Sequence, residues 1–173
     1  YSALFSEWQC DSTQVLPVFE RAQATETGYL ERVAAATGIL ILGQNPLRFA
    51  SSFGGTQLAQ AIRRSNAQGK CVAGLGGTAS VLCQHMVAFD TRREIPRPLL
   101  HRQLIQFAPG LGIINKLVLD GVASVNDSAG DRISRLLTAV AYNPFLVGVS
   151  LEADTGITLY ANDTFEVFGQ NSA

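Results

Sequence analysis

Residues 70–86 read KCVAGLGGTASVLCQHM, and the rest of the chain is arranged around this stretch. Its apolar start predicts a short buried strand over 71–73, its glycines predict a sharp turn over 74–77, and a helix is expected to open at Thr78. A strand, a sharp turn and a helix start together form the nucleophile elbow, which lifts a Ser or Cys side chain above a sheet. Gly76 stands at the tip of this turn. The stretch therefore predicts the backbone of an elbow without a nucleophile.

Composition excludes several classes of protein. At 173 residues and 47% apolar content, the chain can bury one core of ordinary size. A net charge of −1 gives no reason to expect nucleic acid or an anionic membrane as partner. No apolar run approaches the roughly 18 residues that a transmembrane segment needs. The odd, scattered set of Cys10, Cys71 and Cys83 favours reduced thiols, with Cys71 and Cys83 in core elements, and hence a cytoplasmic protein.

Strand and helix patterns alternate along the chain. This alternation predicts an α/β fold with a doubly wound, mostly parallel sheet and antiparallel strands near the C-terminus. Residues 87–103 interrupt the pattern with arginines and prolines, which predicts an exposed loop. Besides 71–73, strands are predicted over 14–19, 39–42, 104–108, 117–125, 146–151, 157–160 and 165–168, and helices over 28–36, 47–53, 56–68 and from Ser128.

A relocated nucleophile is one alternative that the sequence leaves open. Ser80 and Cys83 follow the elbow, and His85 and His101 are the two histidines of the chain. Nucleophilic catalysis needs a histidine within hydrogen-bond reach of the nucleophile and an acid to orient it. Neither histidine follows a later strand, where such a base would be expected. Packing inside a helix is the simpler interpretation of Ser80 and Cys83.

No cofactor and no metal is expected. His, Cys and carboxylate residues do not cluster at the spacings of metal ligands. The glycine-rich turn over 74–78 lacks the terminal Lys-Ser/Thr of a phosphate-binding loop and does not match the dinucleotide fingerprint.

Several segments resemble cyanophycinases, the serine hydrolases that cut multi-L-arginyl-poly-L-aspartate, and their aspartyl dipeptidase relatives. Residues 36–49, ATGILILGQNPLRF, are similar to the family run ATGIFFTGGDQLRL, and residues 73–82, AGLGGTASVL, are similar to AGTSAGASVM. Residues 107–114, FAPGLGII, resemble LAPGLGLL. Residues 135–156, RLLTAVAYNPFLVGVSLEADTG, resemble RLLAAVAxNPxLLGIGIDEDTA, and the family's FEVIG is similar to residues 165–169. These segments occur in the family's order along nearly the whole chain.

The resemblance implies one α/β domain over residues 1–173, of the class I glutamine-amidotransferase-like or flavodoxin-like type. It also implies that the first βαβ segment of the family is absent, so that the domain is truncated at its N-terminus. Apolar sheet surface would then be bare, and either an upstream part of the chain or a partner would cover it.

Position by position, the resemblance places the family's catalytic residues on residues that cannot perform their chemistry. The nucleophilic Ser falls on Gly76, the Gln of the GGDQ turn on Pro46, the His of DQH on Val122 or Asn126, and the acid on Ala153. A vestigial pocket is expected at Gly43, Gln44, Asn45, Gly74 and Gly77. The resemblance thus predicts a pseudoenzyme.

Three functions are compatible with these residues. The first is a catalytically inactive, structural or regulatory subunit that pairs with itself, with an active paralogue or within a larger complex. Residues 92–102 and the uncovered sheet edge are the expected contact surfaces. The second is a hydrolase of cyanophycin or β-aspartyl peptides with a relocated or partner-supplied site. The third is a binding module for small peptides or amino acids.

Overall fold

The computed structural model describes residues 1–43, 45–90, 105–121 and 129–170. Within these ranges the chain is a mixed α/β protein. The helices are α1 (Ser2–Glu7), α2 (Thr27–Ala35), α3 (Pro46–Phe53), α4 (Gln57–Ala67) and α5 (Ala129–Tyr142), with 3-10 segments at Gln23–Thr25 and Gly76–Leu82. The strands are β1 (Gly38–Leu42), β2 (Cys71–Leu75), β3 (His85–Asp90), β4 (Ile105–Pro109), β5 (Leu117–Gly121), β6 (Val147–Leu151), β7 (Thr155–Leu159) and β8 (Phe165–Gly169). None of the described helices combines the length and apolar character that a bilayer crossing requires.

Among the described residues, the strands pair two by two. β1 pairs with β2 and β5 pairs with β6 in parallel, whereas β3–β4 and β7–β8 are antiparallel ladders. The predicted α/β class, with parallel strands in both halves of the chain and an antiparallel pair at the C-terminal end, is therefore observed. The joining of all strands into one doubly wound sheet and the absence of a first βαβ segment stay predictions.

The first core lies between the β1–β2 ladder and two helices. β1 reads GILIL, a continuous apolar run of the kind that forms buried strands. Ile41 packs in one cluster with Val33 of α2 and with Leu58 and Ile62 of α4. The Thr56 hydroxyl accepts a hydrogen bond from the Ala59 amide (3.3 Å) and caps α4 at its start.

The second core surrounds the β5–β6 ladder. Val118 packs with Ala139 of α5, while Leu119 packs with Val149 and with Cys83. Side chains that alternate along β5 thus meet separate clusters, so both faces of β5 are packed, although Val147 of β6 is 59% exposed.

Two sequence predictions about local structure were wrong. Residues 14–19 form no regular element, although Leu16 and Val18 pack against the first core. Pro17 has no amide hydrogen to donate to a ladder, which disfavours a strand at this position. Cys71 lies in β2, as predicted, but it is exposed rather than buried.

The region after the elbow also differs from the prediction. The helix is a 3-10 segment that ends at Leu82, and β3 then runs to Asp90, so residues 87–90 are strand rather than exposed loop. The amides of Leu111, Gly112 and Ile113 donate to the carbonyls of Val81, Cys83 and Leu82. The segment stops before Cys83, whose backbone is extended (φ −70°, ψ 159°), and these tertiary hydrogen bonds hold its last carbonyls against a distant part of the chain. The rest of the predicted loop, residues 91–103, lies outside the described residues.

Candidate functional site

The elbow places Gly76 at the exposed tip of a tight turn. β2 ends at Leu75, Gly76 follows with φ +62°, and the buried residues Gly77–Leu82 continue as the 3-10 segment. Few residues other than glycine adopt a φ of this sign, and sharp backbone strain is typical of a nucleophile elbow. The predicted strand and turn are therefore present. The tip itself offers backbone atoms and no side-chain nucleophile.

Thr78 ties the elbow to the end of β1. Its buried hydroxyl oxygen lies 2.8 Å from the Leu75 carbonyl and 3.1 Å from the Ile41 carbonyl, and its single hydrogen is shared between these two acceptors. A Cβ on Gly74 would lie only 2.8 Å from the Thr78 carbonyl oxygen, and one on Gly43 would lie 3.0 Å from the Thr78 methyl group. The carboxyl ends of β1 and β2 are thereby held together around one threonine.

The end of β5 lies beside the elbow. A Cβ on Gly121 would lie 3.0 Å from the Gly76 carbonyl oxygen, so the two backbones are in close contact. The preceding residue, Asp120, accepts hydrogen bonds from Arg135 Nε (2.8 Å) and Nη2 (3.3 Å). Asp120 and Arg135 are each only 7% exposed. This two-point pair balances a buried carboxylate with a guanidinium of matching geometry.

A second arginine of α5 lies near the end of β6. Arg132 Nη2 lies 3.8 Å from Oε1 of Glu152, the residue that follows β6. Carboxylates at the ends of β5 and β6 thus each face an arginine from the same helix. Ligands of parallel α/β sheets bind at this edge, beyond the carboxyl ends of the strands.

The sequence-predicted site residues differ in their burial and in the elements that carry them. Pro46 is the first residue of α3, and the Asn45 side chain accepts from the Arg48 amide (2.9 Å) as its N-cap. Ala153 is exposed just after β6. Gly43 is exposed, Gly74 is half-buried and Gly77 is buried. Of the predicted site, only Gln44 and the two alternatives for the histidine position, Val122 and Asn126, lie outside the described residues.

Neither alternative nucleophile is placed to react. Ser80 is buried, and its hydroxyl donates to the Gly77 carbonyl (2.9 Å). Cys83 is fully buried, and burial raises the pKa of its thiol to about 12, although a hydrogen bond from the Leu119 backbone opposes this effect. Since the thiolate is the reactive form of cysteine, Cys83 is an inert core thiol near neutral pH. His85 is exposed, and His101 lies outside the described residues.

Sequence reasoning missed the Asp120–Arg135 and Arg132–Glu152 pairs. A partial signal exists, since arginines three positions apart share one helix face, but their acidic partners cannot be assigned from spacing.

A cavity of about 280 Å³ lies away from the elbow, between residues 84–85, Asn115 and residues 142–146. Within the described ranges, no group of three or more His, Cys, Asp or Glu side chains could hold a metal ion.

Comparison with known proteins identifies relatives along nearly the whole chain. No protein-family model matches the sequence. The cyanophycinase of Geminocystis herdmanii is 31% identical over 175 residues, which cover 99% of this chain and 61% of that protein. The cyanophycinase of Synechococcus elongatus is 30% identical (99% and 51%), and that of Trichormus variabilis is 27% identical (99% and 55%). The chain therefore spans about half to three-fifths of the length of these curated relatives.

A solved structure has a similar fold. The crystal structure of a peptidase from an acI-B1 Actinobacterium superposes with a TM-score of 0.70, at 22% identity, over 97% of this chain and 66% of that one. The α/β fold is thus shared with a known peptidase structure. The curated relatives confirm the resemblance that the sequence motifs indicated: the chain is similar to cyanophycinases over nearly its whole length.

Proposed function

We propose that this chain is a cyanophycinase-like subunit that does not carry out serine hydrolysis at its elbow and acts as a structural or regulatory component of a larger assembly. The observation that carries this proposal is Gly76, which occupies the exposed elbow tip at φ +62° without any side chain. Acyl transfer through a covalent intermediate requires a hydroxyl or thiol at that point.

The surroundings of Gly76 support the same conclusion. Ser80 and Cys83, the nearby hydroxyl and thiol that the sequence offered, are both buried. We further infer, from the motif resemblance, that Pro46 and Ala153 stand where the family has its glutamine and acid, and Val122 or Asn126 where it has histidine. Removing the nucleophile alone from a serine protease lowers kcat by about 10⁶-fold, so hydrolysis is expected to fall below detection.

Dipeptide release from cyanophycin tests the inactive elbow. The purified chain should release no more β-aspartyl-arginine than a heat-denatured sample, while the Geminocystis herdmanii relative serves as the active control. The Gly76→Ser variant should also stay inactive because a single hydroxyl without a base is not a nucleophile. Hydrolysis by the unmodified chain, or cleavage of free β-aspartyl-arginine, would refute the proposal.

The proposed assembly role predicts a contact with another protein. We expect the native mass of the chain, measured by light scattering, to exceed that of one 173-residue protomer, either alone or after mixing with a cyanophycinase. A monomeric mass under both conditions would count against the role.

We further propose a cytoplasmic location, which is supported by three cysteines that form no disulfide.

A further inference from the structure

Apolar side chains are exposed where α5 ends and β6 begins. Phe145, in the turn between these two elements, is 96% exposed. Three apolar side chains nearby in the chain are also more than half exposed: Leu137, Tyr142 and Val147, at 67%, 55% and 59%. Single exposed apolar side chains are ordinary, whereas several of them close together mark a surface used for contacts. Tyrosine and phenylalanine are also enriched at the centres of protein interfaces.

A cavity of about 280 Å³ lies beside Phe145. Tyr142 and Phe145 belong to its wall, together with residues 84–85 and Asn115. A cavity of about 150 Å³ is large enough to bind benzene, so this one has room for the ring of a second phenylalanine. Asn115 precedes β5 and Phe145 precedes β6, so the cavity lies at the amino ends of these strands, opposite the elbow. The exposed apolar side chains and this cavity together are the Phe145 face.

The charge of the Phe145 face favours a second copy of the chain as its partner. None of the side chains that line the cavity is a carboxylate, an ammonium or a guanidinium, and Lys116, which follows Asn115, is paired with Asp163. In a two-fold symmetric dimer each patch faces its own copy, so a charged patch would repel itself and a neutral one would not. A projecting ring and a cavity on one patch are also complementary under two-fold rotation.

We propose that two copies of the chain pair through the Phe145 face, with the Phe145 ring of each copy entering the cavity of the other. The inference rests on the proposed assembly role and specifies the surface and the partner for it. Aromatic anchors that fill a pocket on the partner typically dominate the free energy of association, so Phe145 is the residue on which the pairing depends most.

The area of the Phe145 face suits such a dimer. An aromatic side chain buries roughly 150–250 Å², and the four apolar side chains together offer about 600 Å² per copy. The neutral polar side chains around the cavity bring each copy close to the roughly 800 Å² per partner that a standard interface buries.

Light scattering over a range of protein concentrations tests the anchor. The unmodified chain should reach twice the mass of one 173-residue protomer. Phe145→Asp should weaken self-association at least about 100-fold, because each dimer loses its anchor twice. The fold should persist by circular dichroism, since Phe145 is almost wholly exposed. Phe19→Asp is the matched control at another exposed phenylalanine and should leave the dimer intact.

Charge at the cavity tests the symmetry of the pairing. Gln84 is exposed in the cavity wall, and Gln84→Glu adds a negative charge to both patches with little change of shape. This variant and Gln84→Lys should each be monomeric alone, and mixing the two should restore a dimer that contains one copy of each. Gln60→Glu, at an exposed position of α4, is the control and should dimerise like the unmodified chain.

The inference is overturned if the unmodified chain is monomeric alone, if Phe145→Asp keeps the dimer, or if the two Gln84 variants do not pair on mixing. A monomeric chain that gains mass with a cyanophycinase would leave the assembly role standing without this surface. A dimer that survives Phe145→Asp would leave the role standing through another surface. The two proposals therefore fail separately.

Discussion

Asp120 and Arg135 meet in the protein interior at the end of β5, close to the elbow, and their two hydrogen bonds measure 2.8 and 3.3 Å. Replacing Asp120 with Ala removes this carboxylate from a guanidinium that is only 7% exposed. Breaking a buried ion pair in this way typically costs about 3–5 kcal/mol, so we expect Asp120→Ala to lower the free energy of unfolding by that amount. Urea denaturation followed by circular dichroism measures the loss.

An exposed ion pair of the same chain supplies the matched control. Lys116 Nζ lies 2.5 Å from Asp163 Oδ2, but both side chains are well exposed. Pairs of this kind contribute roughly 0–1 kcal/mol because water screens them. Lys116→Ala should therefore have little effect. Similar losses of unfolding free energy in the two variants would contradict the prediction that burial makes the Asp120–Arg135 pair more stabilising than an exposed pair.

Cys83 makes stability depend on pH above neutrality. Its folded-state pKa of about 12 lies above the unfolded value of roughly 8.5, so the folded state keeps a proton that the unfolded chain loses. The contribution of Cys83 is complete below about pH 8.5 and declines as the pH rises toward 12, with a slope of at most about 1.4 kcal/mol per pH unit. Unfolding free energies of the unmodified chain should fall more steeply over this window than those of Cys83→Ala.

Thiol counting checks the same residue independently. An aromatic disulfide reagent should titrate Cys10 and Cys71 in the native protein, since both are exposed, and Cys83 only after denaturation. If all three thiols react at one rate in native buffer, Cys83 is not in the closed environment that the structure gives it.

The packing of α5 on β6 depends on Gly148. A Cβ at this position would lie 2.8 Å from both Leu136 Cγ and Val140 Cγ2. Overpacking of this kind usually costs about 1–3 kcal/mol, so Gly148→Ala should lower the melting temperature. Gly38→Ala is the control in β1, because its Cβ would meet only the Cys71 carbonyl oxygen, at 3.9 Å. Equal melting temperatures for the two variants would contradict this account.

The sequence could predict those elements whose formation depends on neighbouring residues in the chain. The apolar run of β1 and the glycines of the elbow act on neighbouring residues, and both features are present in the fold. The 3-10 segment Gly76–Leu82 was not predictable, because the partners of its last carbonyls come from residues about 30 positions later. The contact between Gly121 and Gly76 and the choice of Arg135 as partner of Asp120 likewise arise from tertiary structure.

At the scale of the whole molecule, backbone amides should be protected best against hydrogen exchange in the strands whose faces are packed by other side chains. β5 is packed on both faces, the β1–β2 ladder on one, and every residue of β8 is exposed. Local opening is easiest where few apolar contacts must be broken. Mass spectrometry of deuterium uptake should therefore find β5 slowest, β1 and β2 intermediate and β8 fastest. Protection of β8 equal to that of β5 would mean that the hairpin is covered in solution.

Both cores leave apolar strand residues exposed: Leu42 and Leu75 are 48% and 44% exposed beside the first core, and Val147 is 59% exposed beside the second. Exposed apolar side chains that lie side by side mark surfaces used for contacts.

Gly74 and Gly76, two residues apart in the elbow, differ in what would limit sequence change there. At Gly74 any side chain would collide with the backbone of Thr78, at 2.8 Å, and no rotamer relieves that contact. At Gly76 the φ of +62° opposes substitution by most residues, although asparagine or aspartate tolerates such a backbone at modest cost. Natural variation could therefore place polar side chains at the tip while position 74 stays glycine. The backbone of the elbow would then be preserved while the chemistry of its tip residue changes.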